Sequence, residues 1–219
     1  MICLKNILLK NIIETRCNTM KLFKHLNVVI KHKWLVFIYG IRMHIPVIAF
    51  FHDLSKFHPV EFFRSVKYFA GDKSPTIIER QYNNSVSYIT LHHTLRNKHH
   101  WHCYVDFLPK NIVIARINYK HSVEYVCDIL AASKVYLKKD YTPKSAYEYF
   151  SEHSKTYLMH PANKEFVIWC TDEISKYGFK KMKKRYLIDN YNRIINKYPV
   201  SILIPFDNFS LDYLNIIES

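Results

Sequence analysis

The stretch AFFHDLSKFHPVEFF, residues 49–63, decides how this chain is read. An apolar run, Val47 to Phe51, leads into the dipeptide His52-Asp53. The pair therefore stands at the end of a buried segment, with Lys56 one helical turn later and Glu61 in the segment beyond. An imidazole beside a carboxylate offers a divalent cation two adjacent ligands of the kind that Zn, Mn or Fe accepts. A lone pair of this kind more often caps a helix end. The reading changes only where further ligand-type residues stand at workable spacings.

Upstream, residues 20–40 have a helical pattern. Leu22, Leu26, Val29, Phe37 and Ile41 fall roughly on one stripe, expected to face inward. His25, His32 and Tyr39, spaced by sevens, share another face. Gly40 and Pro46 allow a turn into a second helix, so that His32 can come up to His52 and Asp53.

Downstream, Pro59 opens a third helix and residues 71–75 are a loop. A fourth helix is expected from about Thr76, with Ile77, Ile78, Tyr82, Val86 and Ile89 inward. It runs into LHHTLRNKHHWH, residues 91–102, in which five of twelve residues are histidine. On a helix His92 and His93 point about 100° apart, and seven-spaced pairs lie roughly 10 Å apart, too far for one ion. Either the chain breaks near Asn97 or the pairs do different work. The plain alternative is a surface cluster or a nucleic-acid contact.

Residues 112–115 read as a strand or as the start of a helix. From Asn118 the pattern is helical, with His121, Glu124, Asp128, Ala131, Ala132 and Val135 on one face. A carboxylate amid Cys127, Ile129 and Leu130 is costly to bury unless paired or bound to a cation. Arg116 and Lys134 are its ordinary salt-bridge candidates. Helices are expected over 143–158 and from Pro161 to Gly178. The run Lys180, Lys181, Lys183, Lys184, Arg185 either contacts nucleic acid or is a solvated face, and the apolar tail from Pro199 shows no clear period. The domain plan is residues 1–19 as an N-terminal helix or extension, 20–178 as the helical domain, and 179–219 as a basic helix and tail.

Composition sets the outer bounds. The chain of 219 residues is 49% hydrophobic, enough for a full core. Its three glycines, Gly40, Gly71 and Gly178, are scattered, which excludes a Walker loop or dinucleotide fingerprint. A net charge of +14 favours an anionic partner: a phosphorylated small molecule, a nucleotide, nucleic acid or an anionic membrane. The cysteines Cys3, Cys17, Cys103, Cys127 and Cys170 form no CxxC pair, so a reducing, intracellular setting is expected, cytoplasmic in the cell or, for a viral chain, in its host. Arg42, His44 and Pro46 interrupt the apolar run from Trp34 to Phe51, so no transmembrane segment is expected.

The order His32, then His52-Asp53, then a histidine cluster, then Asp128 resembles the HD-domain superfamily of metal-dependent phosphohydrolases. The motifs HDLSKF at 52–57, Pro59-x-Glu61-Phe62, His92-His93, Arg96-Asn97, His99-His100-Trp101, and Glu124-x-x-Cys127-Asp128 with Ala131-Ala132 are similar to those of an uncharacterised HD-like family of bacterial and viral proteins. That resemblance implies an all-α bundle with a metal site between helices and one or two divalent ions, Mn, Fe, Ni, Zn or Mg. It implies His32, His52, Asp53 and Asp128 on one ion, with His93 and His100 helping to hold a second and Asp53 between them. The sequence does not separate His93 from His92, or His100 from His99. The catalytic candidates are Lys56 and Arg96 to neutralise phosphoryl oxygens, Asn97 to orient substrate, and Glu61 to steady a ligand imidazole. His92, His99, His121 and Glu124 would surround the ligands. The implied reaction is hydrolysis of a nucleotide-type phosphomonoester or phosphodiester. Three rivals remain: a di-iron oxygenase on the same fold, a non-catalytic basic module that binds nucleic acid, and a structural interaction protein with a degenerate site.

Overall fold

The computed structural model describes residues 2–71 and 73–206, with the side chains of residues 2–18 left aside. Expectations that fall on residues 207–219 lie outside the described residues. The described chain is mostly helical: nine α-helices and one three-stranded sheet, so the all-α expectation holds for the helical majority and misses the sheet.

Helix α1, Ile2–Arg42, is the spine of the molecule, and the expected boundary between residues 19 and 20 falls inside it. Its buried face is His25, Val29, His32, Val36 and Tyr39, continued by Met43 just past its end, spaced alternately by four and three. Of the stripe expected to face inward, Val29 is buried, whereas Ile41 is exposed. Helix α2, Pro46–Phe51, folds back on α1. The crossing is close at Gly40, where an added Cβ would come 2.1 Å from that of Ala49.

Proline at the first turn starts α2, α3 (Pro59–Lys67), α4 (Pro75–Tyr82) and α8 (Pro161–Tyr177), where the missing N–H has no intrahelical partner to lose. Side-chain caps start two others. Ser87 accepts the Thr90 N–H at the head of α5, Tyr88–Thr94, and Asn118 accepts the His121 N–H at the head of α6, Tyr119–Leu137. The expected fourth helix is thus two, α4 and α5, because the chain turns at 83–87. Ile77, Tyr82 and Val86 are exposed there, and Glu79 is the buried anchor: it accepts from the Ser87 hydroxyl and the Ile89 N–H and pairs with Arg64.

Strands β1 (Val105–Phe107), β2 (Asn111–Ala115) and β3 (Ser201–Pro205) form an antiparallel sheet with β2 central. Its register sets Ile112 against Ile204 and Ile114 against Ile202, which gives β2 a buried apolar face. This resolves residues 112–115 as strand, and the tail from Pro199 pairs through β3. Helices α7 (Ser145–His153) and α9 (Lys184–Ile195) complete the body. Leu187, Tyr191 and Ile194 of α9 join the same core as Phe150, Phe166 and Val126, so residues beyond 178 pack into the helical domain. The link from β2 to α6 is fixed by buried Asn163, which accepts the Ile117 N–H and donates to the Ile117 carbonyl and Ser122 hydroxyl, each at 2.9 Å.

Candidate metal centre

Four pieces of chain meet behind α1. Helix α1 supplies His32 from its buried face. The end of α2 supplies His52 and Asp53. The last turn of α5 supplies His93, the segment after it supplies His99 and His100, and α6 supplies Glu124 and Asp128, four residues apart and so on one face.

Local chemistry fixes each piece. Lys33 donates to the carbonyls of Phe50 and His52, both at 2.7 Å, a cation placed on the free carbonyls where α2 ends. Asp53 takes a left-handed backbone (φ 51°), a conformation that costs a non-glycine residue roughly 1 kcal/mol or more. There its Oδ2 meets Lys56 Nζ at 2.6 Å, His52 Nε2 at 3.0 Å and His93 Nε2 at 3.5 Å. Its Oδ1 lies 3.6 Å from His99 Nε2. Asp128 Oδ1 lies 3.0 Å from His32 Nε2 and 3.5 Å from His52 Nε2, and its Oδ2 lies 3.7 Å from His99 Nε2. Arg116 and Lys134 are not its partners: Arg116 turns to the carbonyls of Ile195 and Val200, and Lys134 to the ring of Tyr141.

Three groups of possible ligands result: His52, His99 and Glu124 form one, and the other two share Asp53. Of these two, one is His32, His52, Asp53 and Asp128; the other is Asp53, His93, His99 and His100. Within each, one donor atom per residue lies within 4.8 Å of all the others. Ligands about 2.1 Å from a tetrahedral ion stand about 3.4 Å apart, close to the separations found here. The inner nitrogens of His32, His52, His99 and His100 and both oxygens of Asp53 are buried and make no aligned hydrogen bond. Native interiors rarely leave so many polar atoms without an aligned hydrogen bond at one point, and cations held by the two groups that share Asp53 would satisfy them.

The electrostatics agree. Burial disfavours a charged His52, but Asp53, Asp128 and Glu124 outweigh it and raise its pKa well above the usual value. Burial likewise opposes ionised Asp53 and Asp128, yet the histidines around both, with Lys56 beside Asp53, hold them well below the ordinary range. The field of the site thus favours positive charge at its centre. Burial, with Lys56 nearby, lowers His32 to about 4, and burial next to two other histidines lowers His100 strongly. Both imidazoles are neutral at pH 7, as ligation requires.

The outer nitrogens are held by two buried glutamates. Glu124 Oε1 faces His52 Nδ1 at 2.9 Å and His99 Nδ1 at 3.3 Å, and its Oε2 faces His121 Nδ1 at 2.8 Å. Burial opposes its charge, but the hydrogen bonds from His52 and His99 bring it down to about 2. Glu61 faces His93 Nδ1 and His92 Nδ1, each at 3.0 Å. This is the carboxylate-imidazole arrangement that fixes ring orientation in metal sites.

The structure therefore brings His32, His52, Asp53, His93, His100 and Asp128 together, as expected. It moves His99 inward to the donor set, because the chain leaves helical geometry after Thr94 and turns both His99 and His100 to the centre. His92 stays outside, on Glu61 and with its ring tilted against that of His58, centroids 5.0 Å apart. Glu61, expected to steady a ligand imidazole, is buried against the rings of His92 and His93. The amide of Asn97 donates to the His93 carbonyl at 2.7 Å and to Ser55 Oγ at 2.9 Å, bracing the turn. Arg96 is exposed and bonded to the His92 carbonyl. Sequence reasoning missed Lys33 and Ser55; Ser55 stands inside HDLSKF, while only the fold shows what Lys33 caps.

A groove of about 740 Å³ lined by Arg42, His44, Tyr177, Phe179, Lys180 and Lys183 contains none of these ligands, so it is separate from the centre. Among the described residues no helix is long and apolar enough to cross a membrane.

The chain belongs to a family of unknown function, DUF5662, which matches residues 21–173. Every candidate ligand lies within that range, and α9 and β3 lie outside it. No curated protein and no solved structure matches the chain.

Proposed function

We propose that this chain is a metal-dependent phosphohydrolase of the HD kind, acting on a phosphomonoester or phosphodiester of a nucleotide-type substrate. The observation that carries the proposal is the convergence of buried imidazole nitrogens and carboxylate oxygens on one centre, with the donor atoms of each set within 4.8 Å of one another. The order of His32, His52-Asp53 and Asp128 along helices, which resembles that superfamily, supports it further. His32, His52, Asp53 and Asp128 would hold one ion, and Asp53, His93, His99 and His100 a second. A divalent ion there (Mn, Fe, Ni, Zn or Mg) supplies Lewis acidity toward a phosphoryl oxygen and acidifies a water molecule.

The protein's own residues do the rest. Glu124 and Glu61 keep the ligand rings in one tautomer by accepting from their outer N–H groups. Lys56 stands at the rim with its side chain 27% exposed, within reach of a bound anion. Burial would lower the pKa of its ammonium, but Asp53 and Asp128 raise it, so it carries its charge at physiological pH. It balances negative charge on a phosphoryl group. The +14 chain draws such anions in. The surface-cluster reading does not fit the histidines of the centre, since His32, His52 and His99 are buried.

The test is metal content by plasma mass spectrometry on protein purified without chelator, with Asp53→Ala alongside. One to two equivalents in the wild type, lost in the variant, followed by turnover of bis-p-nitrophenyl phosphate or a nucleotide, is the expected result. Folded wild type that holds no metal and takes none up from Mn or Fe solutions refutes it.

A further inference from the structure

Helix α1 has two apolar faces, and the fold covers one. The outer face reads Met20, Phe23, Asn27, Ile30, Trp34 and Ile41, with Phe37 completing the series between the last two. The spacing is 3, 4, 3, 4, 3, 4 throughout. Met20, Phe23, Ile30, Trp34 and Ile41 are 46–62% exposed, and Asn27 is exposed in line with them. The buried His25, His32 and Tyr39 lie on the opposite side, where α2, α3 and α6 pack. In the sequence the same spacing runs back through Ile13 and Leu9 to Ile2, with Arg16 and Asn6 as the polar members.

We infer that two copies of this chain pair through this outer stripe, helix α1 against helix α1. An apolar repeat averaging 3.5 residues is what keeps a seam facing a second helix along its length. A helix lying on a lipid surface repeats its apolar residues at similar steps, but it has no use for an asparagine in the middle of the seam. A helix pair does: one polar residue at such a position fixes register and partner number at some cost in affinity. The seam also widens at its far end. Trp34 meets Phe37 at 5.9 Å, Phe37 meets Phe50 at 5.9 Å, and Phe50 meets Phe51 at 5.1 Å, so the exposed aromatics of α2 continue it. A contiguous apolar face of this extent marks an interaction surface. Helix α1, 41 residues or about 61 Å long, offers ample length for it.

Light scattering on the full chain at tens of micromolar is expected to give twice the chain mass of 26.3 kDa. The double substitution Ile30→Asp with Trp34→Asp is expected to give folded monomer with unchanged metal content, since neither residue faces the centre. Asn27→Ile is expected to tighten the dimer at least tenfold, or about 1.4 kcal/mol. That second variant is decisive if the first fails to fold. A monomeric wild type overturns the inference, as does a dimer indifferent to Asn27→Ile or to a folded double variant. A monomer that sediments with phosphatidylserine vesicles would assign the stripe to lipid instead.

Discussion

Replacing Glu124 tests whether the carboxylates around the rings tune the centre or merely fill space. Its Oε1 accepts from His52 Nδ1 at 2.9 Å and faces His99 Nδ1 at 3.3 Å, and these two rings belong to different ligand sets. One side chain thus steadies both proposed ion sites. Glutamine can keep its oxygen toward His52 and His99 and turn its amide to His121, whose side chain is 21% exposed and can shift tautomer cheaply. Glu124→Gln then loses charge but not the two inner hydrogen bonds. Glu124→Ala loses both and strands two buried N–H groups. Substitutions of such outer partners weaken metal binding by about 10–100-fold, which places glutamine near the low end and alanine near the high end, about 1.4 to 2.7 kcal/mol. Competition titration with a chelating dye at pH 7 measures this. Glu124 ionises at about 2, so its own protonation does not enter above pH 4. Equal affinity in all three proteins would refute the reasoning, as would glutamine weaker than alanine.

Two further outcomes follow from the packing. Gly40→Ala should destabilise the fold by about 1–3 kcal/mol in urea unfolding, because its Cβ would meet that of Ala49 at 2.1 Å. Helix propensity alone predicts the opposite sign, a gain of up to about 1 kcal/mol, so a more stable variant would contradict the close α1–α2 crossing. His25 is buried between Phe62 and Phe69, and burial, with Lys56 nearby, lowers its pKa to about 4. Because the unfolded ring titrates near 6.5, the unfolded chain binds the extra proton between those values. His25 therefore costs no stability above pH 6.5 and up to about 3 kcal/mol as pH falls to 4. His25→Leu should flatten acid destabilisation by that share in unfolding curves at pH 7 and 4.5. Identical pH dependence would show that the ring is not buried neutral.

The sequence alone determined the local features. Prolines at 46, 59 and 161 mark three helix starts, because proline is tolerated at the first turn and nowhere further in. The seven-residue spacing of His25, His32 and Tyr39 put them on one face, and the position of His52-Asp53 after an apolar run put the doublet at a helix end. Asp128 announced itself as a carboxylate too costly to bury alone. Tertiary structure decided the rest. Periodicity reports direction only within one element, so it could not say how the chain turns after Thr94, and His99 came to the centre unannounced. It could not see the left-handed backbone of Asp53, nor Glu61 reaching from α3 to two histidines thirty-odd residues on. Strand β3 has no pattern of its own because its partner lies some ninety residues earlier, on β2. Helix α1 is apolar on opposite sides, so its sequence gives no reason to prefer one. Only the arrival of α2, α3 and α6 shows which face the fold covers and which it leaves open.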